Sequence, residues 1–159
     1  MNRNTFDLVM KHGKRIYLDV CCLNRPFDDQ SQDRIRMETE ALLTILGQVQ
    51  RGEWELVSSE ALDLEIEQNP DIDRLFKVRD ILGLASYYIH VGNWESDRAR
   101  ALARRGFGGY DAAHLACAES GQVTVLLTTD DGFIKQARRP GVTKVQVCNP
   151  LRWVAENDL

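Results

Sequence analysis

Ile16-Tyr17-Leu18-Asp19-Val20 is a short apolar run interrupted by a single acid. A run of this length and composition predicts a buried strand over Arg15 to Val20. Asp19 is the anomaly within it, because taking an unpaired carboxylate out of water is expensive. Trp54 to Val57 (WELV) predicts a second strand, and Val123 to Thr128 (VTVLLT) a third whose continuous apolar character suits a strand covered on both faces. Val142 to Val147 is a further strand, and Tyr87 to Val91 is β-prone.

Helical patterns separate these runs. Leu42, Ile45, Leu46 and Val49 fall at helical spacing between about Gln32 and Arg51, with Gly52 as a stop. Ser58 or Ser59 can cap the next helix, which carries Leu62 and Ile66, and Asn69-Pro70-Asp71 breaks it. A further helix runs to about Ser86, another from Trp94 to Arg105 ending at Gly106, and an alanine-rich one from Tyr110 to Glu119 closed by Gly121. Asp131-Gly132 opens a helix to about Arg138, and Pro150 to Glu156 is a short terminal helix. Asn24 to Asp29 is expected to be a loop, since it is rich in Asn, Asp and Pro. Strands alternating with helices give an α/β fold, a mostly parallel central sheet with helices on both faces.

The 159 residues suit one domain, with a tail over about residues 1–14 and a core over about 15–150. Hydrophobic residues at 43% and charged residues at 28% argue against disorder. No apolar run is long enough to span a membrane, and Met1 to Arg15 is polar with no signal-type stretch, so the expected location is the cytoplasm. Cys21, Cys22, Cys117 and Cys148 lack the spacing of a redox motif or zinc half-site and read as reduced, small hydrophobes. The net charge of -4 announces no nucleic-acid binder, although a local basic rim could come from Arg34 and Arg36, from Arg98, Arg100, Arg104 and Arg105, or from Arg138 and Arg139.

Acids recur where an open parallel sheet gathers its functional groups, beyond the carboxyl ends of the strands. Asp19 ends the first strand, Asp130 and Asp131 follow the strand VLLTT, and Glu65 lies on the helix leaving the second strand. Asp111 sits in the first turn of the helix opened by Gly108-Gly109, where backbone amides alone would favour it. Carboxylates gathered in one pocket repel one another, and a hard divalent cation removes that penalty. Oxygen-only ligands select Mg²⁺ or Mn²⁺, as one or two ions, and such ions activate water against a phosphodiester.

Four segments together resemble the PIN-domain ribonucleases: IYLDVCCLNRPF around Asp19, SSEALDLE ending at Glu65, GGYDAAHLACAE containing Asp111, and LLTTDDGF containing Asp130. They occur in the family's order and span nearly the whole chain. The resemblance implies a PIN-like three-layer α/β/α sandwich and a Mg²⁺- or Mn²⁺-dependent endoribonuclease. It also implies Asp19, Asp111 and Asp130 as main metal ligands, with Glu65 a ligand directly or through water. Glu60 and Asp63 compete with Glu65, and the family's serine-to-acid spacing fits Glu65 best. Asp131 competes with Asp130, and the pattern Thr128, Asp130, Phe133 favours Asp130. Many small members are VapC-type toxins, often homodimers, whose antitoxin would cover the acidic pocket. The Arg25-Pro26-Phe27 loop and the helix after it are not general features of those toxins.

Secondary candidates each carry a plainer reading. His114, three residues after Asp111, could meet substrate or donate a proton, or could be a packed, hydrogen-bonded histidine. Thr128 could bind a ligand water, and Thr129 could cap the next helix. Asn24 and Arg25 could meet phosphate or serve as loop residues. Trp54, Trp94 and Trp153 are expected in packing rather than base stacking. A toxin nuclease acting on RNA is the leading expectation, beside a housekeeping RNA-processing nuclease and an inactive binding module of the same fold. A dehalogenase-type phosphatase would want an acid where Cys21 stands, and no Walker-type phosphate loop occurs.

Overall fold

Strand β1 (Arg15–Leu18) stops one residue before Asp19 because Asp19 is the N-cap of helix α1 (Val20–Asn24). The computed structural model describes residues 13–159, so the expected N-terminal tail falls outside it up to residue 12. Beyond α1 the chain makes a single 3-10 turn (Arg25–Phe27) and then α2 (Asp33–Gln50). The expected loop over Asn24 to Asp29 is therefore half helical. Pro26 is tolerated there because its missing N–H is one of the donors a helix start leaves unpaired anyway.

The remaining elements follow in order: β2 (Glu55–Ser59), α3 (Glu60–Ile66), α4 (Ile72–Leu82), β3 (Tyr87–Ile89), α5 (Asn93–Arg104), α6 (Gly109–Ser120), β4 (Val125–Leu127), α7 (Asp131–Ala137), β5 (Gln146–Cys148) and α8 (Pro150–Glu156). The sheet order is β3-β2-β1-β4-β5 and every pairing is parallel. Ile16 sits level with Leu56 on one side and Val125 on the other, which makes β1 the central strand. Ile16, Tyr17, Leu18, Val125, Leu126 and Leu127 are all fully buried, as strands covered on both faces must be. The fold is a three-layer α/β/α sandwich: α5 packs on α6, and α2 packs on α8. Among the described residues no helix is long and apolar enough to cross a membrane.

Two expectations change. The last strand is Gln146–Cys148 rather than Val142 to Val147, because Thr143 turns the chain by accepting from Val145 N at 3.1 Å and donating to Glu119 at 2.8 Å. The core does not end near residue 150, since Trp153 of α8 is buried and packs edge-on against Trp54. Gly121 closes α6 as expected, with φ −76°, and it is Gln122 that takes the left-handed conformation at φ 50°. Glycine at 121 also allows a close approach to β3, because a Cβ there would run into Ile89 Cδ1, which would have to move aside.

Candidate functional site

Successive crossovers carry the chain one way from β1 to β3, and it then returns to lay β4 on the other side of β1. That reversal makes the carboxyl ends of β1 and β4 a topological switch point, where the two loops diverge and leave a crevice. Asp19 lies at one lip and Thr128, Thr129 and Asp130 at the other. The lips are tied by backbone, with Asp19 N donating to Leu127 O at 3.1 Å. Cys21 also joins them, since its Sγ lies 2.7 Å from Asp19 Oδ1 and 3.3 Å from Thr128 Oγ1, and it accepts from Thr129 N at 3.3 Å.

Each carboxylate is placed by local structure. Asp19, only 5% exposed, caps α1 by accepting from Cys22 N at 3.1 Å. Asp130, exposed, caps α7 by accepting from Phe133 N at 3.1 Å, and its own N–H donates to Thr128 Oγ1 at 3.1 Å. Asp111 is partly buried in the first turn of α6. Glu65, on α3, accepts through Oε1 from His114 Nε2 at 2.9 Å. Asp19 and Asp130 thus have helix-capping duties that their spacing in the sequence did not reveal. A cap occupies one carboxylate oxygen and does not demand charge neutralisation by a cation.

The electrostatics separate these acids from their neighbours. No Lys or Arg pairs with Asp19, Glu65, Asp111 or Asp130 among the described residues, whereas Asp28, Glu38, Glu119 and Asp131 all have arginine partners. Burial, then the negative charge of Asp130, push the Asp111 carboxyl up to about 6; His114 pulls the other way, and Glu65 adds a lesser push. Burial also raises Asp19 well above the usual carboxylate range, with Cys21 adding to it. The negative charges of Asp130 and Glu65 are felt at Asp111, so these acids repel one another as they stand. The donor set is hard oxygen throughout, which fits a divalent ion of the Mg²⁺ or Mn²⁺ kind, with the Cys21 thiol as a softer donor beside it. Among the described residues the ligand-type atoms closing to within 4.8 Å in threes are those of Asp19, Cys21 and Cys22, and no three of the four acids come that close together.

The competing residues lie elsewhere. Glu60 accepts from Val91 N at 2.8 Å and Asp63 from Tyr88 OH at 2.6 Å, so both turn towards β3 and its following loop. Asp131 is exposed and held bidentately by Arg34 at 2.9 and 3.0 Å, which lowers its pKa. Thr128 is buried at the lip, while Thr129 does not cap α7, because Asp130 does. Asn24 donates to Val20 O at 2.9 Å, and Arg25 pairs with Asp28 and Glu38, so neither faces outward as a ready phosphate contact. Arg34, Arg36, Arg98 and Arg100 are engaged with carboxylates, and Arg105, Arg138 and Arg139 with carbonyls.

Sequence reasoning missed two features. Glu38 is fully buried, between Arg25 at 3.2 Å and Arg34 at 3.3 Å, with Asn149 donating to its other oxygen. Tyr17 is fully buried with its hydroxyl 2.7 Å from both Ser59 Oγ and His114 Nδ1. Apart from the Arg34–Glu38 pair, four residues apart on α2, their partners are remote in sequence, so local pattern did not disclose them.

No family model matches the chain, and no curated protein matches it. Among solved structures it is similar to the crystal structure of PAE2754 from Pyrobaculum aerophilum, with a TM-score of 0.54 and 15% identity over 96% of each chain. At that identity the likeness is one of fold, and it extends across both chains nearly end to end.

Proposed function

We propose that this chain is a metal-dependent endoribonuclease of the PIN type, with Asp19, Asp111 and Asp130 as main ligands for Mg²⁺ or Mn²⁺ and Glu65 completing the set directly or through water. The observation that supports this reading is the placement of four carboxylates at the switch-point end of the sheet, none paired with a lysine or arginine among the described residues, with Asp111 feeling the charges of Asp130 and Glu65. A bound divalent ion supplies two things there, a water of lowered pKa and compensation for charge on a phosphodiester. The chain's own part is orientation. Helix-terminal amides fix one oxygen each of Asp19 and Asp130, and His114 fixes one of Glu65.

RNA as substrate, a toxin role, an antitoxin partner and a homodimer rest on the resemblance of the four acid-bearing segments. The test is cleavage of single-stranded RNA with Mn²⁺ by the wild type, Asp19→Asn and Asp111→Asn. We expect cleavage by the wild type alone, its loss in excess EDTA, and unchanged circular dichroism in both variants. Full activity in either folded variant, or in EDTA, would sink the proposal. Growth arrest on expression, relieved by Asp111→Asn, separates a toxin from a housekeeping nuclease.

A further inference from the structure

His114 has both ring nitrogens occupied, and the proton positions follow from counting donors. An ionised Glu65 can only accept, so His114 Nε2, 2.9 Å from Oε1, carries a hydrogen. A neutral ring then leaves Nδ1 as an acceptor, and Tyr17 OH, 2.7 Å away, must donate to it. Burial pushes the Tyr17 hydroxyl well above its ordinary range, so the proton to donate is always there. With its hydrogen spent on His114, Tyr17 accepts from Ser59, 2.7 Å away. Ser59 in turn accepts from Leu62 N at 3.1 Å as the N-cap of α3, the helix that bears Glu65. Every group is satisfied in one direction only, from Ser59 through Tyr17 and His114 to Glu65. A charged ring would reverse the chain and leave the Ser59 hydrogen without an acceptor in it.

We infer that His114 is a positioning residue, locked by Tyr17 as the Nε2–H tautomer so that it holds Glu65 in the orientation that a divalent ion at the acidic crevice requires. His114 and Tyr17 are fully buried and do not themselves reach solvent. The arrangement spans the sheet and both helices flanking the site, because Tyr17 belongs to β1, Ser59 to β2, Glu65 to α3 and His114 to α6. It therefore couples the placement of α3 to that of α6, whose first turn carries Asp111. Groups that orient a metal-binding side chain from behind change metal affinity or activity by about 10–100-fold when removed.

This inference rests on the proposed metal site, and the test separates the two. Mn²⁺ affinity is measured by calorimetry for the wild type, Glu65→Gln, His114→Leu, His114→Gln and Tyr17→Phe, with circular dichroism to confirm folding. We expect about a tenfold loss in His114→Leu and recovery of most of it in His114→Gln, whose amide N–H can stand in for Nε2–H. Tyr17→Phe, which keeps the ring, should lose affinity as well and carries the test if His114→Leu does not fold. In the wild type, nitrogen-15 NMR should show the Nε2–H tautomer of His114. Wild-type affinity in folded His114→Leu or Tyr17→Phe, no recovery in His114→Gln, or the opposite tautomer would overturn the inference. Loss in Glu65→Gln alone would leave the metal site standing without it, and a wild type that does not bind Mn²⁺ would remove both.

Discussion

Arg34 Nη2 donates to the backbone carbonyl of Thr129 at 3.0 Å, reaching from α2 to the loop that delivers Asp130 to the crevice. The same guanidinium grips Asp131 with two nitrogens and the buried Glu38 with a third. An arginine that sequence reading placed on a basic rim is thus the brace of one lip of the site.

Removing this brace should be less costly than removing what it braces against. Arg34 is half exposed, so its ion pair with Asp131 is worth little. We expect Arg34→Ala to lower stability by about 1–2 kcal/mol. Glu38→Ala leaves Arg25 and Asn149 facing a buried void, and should cost about 3 kcal/mol or more. Urea unfolding followed by circular dichroism measures both, and an Arg34→Ala loss equal to or above that of Glu38→Ala would refute this ordering.

Trp153 offers a second comparison. Its indole is buried against Trp54, but its Nε1 has no hydrogen-bond partner among the described residues. Trp153→Ala should cost about 3–5 kcal/mol, the usual range for emptying a large aromatic site. Trp153→Phe should cost under about 1.5 kcal/mol, because losing an unsatisfied N–H offsets part of the lost packing. A Phe variant as unstable as the Ala variant would mean that the indole N–H is satisfied in solution.

How much of this was legible in the sequence depends on the range of each interaction. Strand periodicity is local, so IYLDV and VLLTT disclosed the central strands and the acids at their ends. Capping is local too, and Ser59 was readable as a cap, yet Asp19 looked like a strand residue because the apolar run continues through Val20. The serine-to-acid spacing favoured Glu65 over Asp63, but only three-dimensional placement shows Asp63 spent on Tyr88. Nothing local marks Glu38 as buried, because its partners Arg25 and Asn149 lie in a different turn and beyond a remote strand.

The end of α6 tests why glycine is where it is. Gln122 holds φ 50°, a conformation that costs an L-residue about 1–2 kcal/mol and glycine nothing in sterics. Gln122→Gly should therefore stabilise the protein by about 0.5–1 kcal/mol after the greater freedom of unfolded glycine is counted. Gly121→Ala should destabilise it by about 1–3 kcal/mol through the Ile89 Cδ1 contact. Ile89→Val removes that methyl, so the double variant should recover part of the loss. Equal losses in Gly121→Ala with and without Ile89→Val would place the strain elsewhere.

The acidic crevice should leave its mark on stability as a function of pH. Asp111 titrates near 6 in the folded protein and Asp19 is raised as well, whereas an unfolded aspartate titrates at about 3.9. The folded state therefore holds these protons more tightly, and stability falls as pH rises above about 4, with the Asp111 penalty complete above about pH 6 and Asp19 acting in the same direction. Carboxylates with lowered values, such as Asp29 and Asp131, act in the opposite sense and lose their contribution only as pH falls towards their own range. Melting in EDTA should thus give a higher Tm at pH 5 than at pH 7.5, and Asp111→Asn, which cannot ionise, should shrink the difference. Saturating Mn²⁺ should raise Tm most at pH 7.5, where the carboxylates are charged and no proton competes, and by less in Asp111→Asn. A difference between pH 5 and pH 7.5 that is the same in Asp111→Asn as in the wild type would show that Asp111 is not the strained acid.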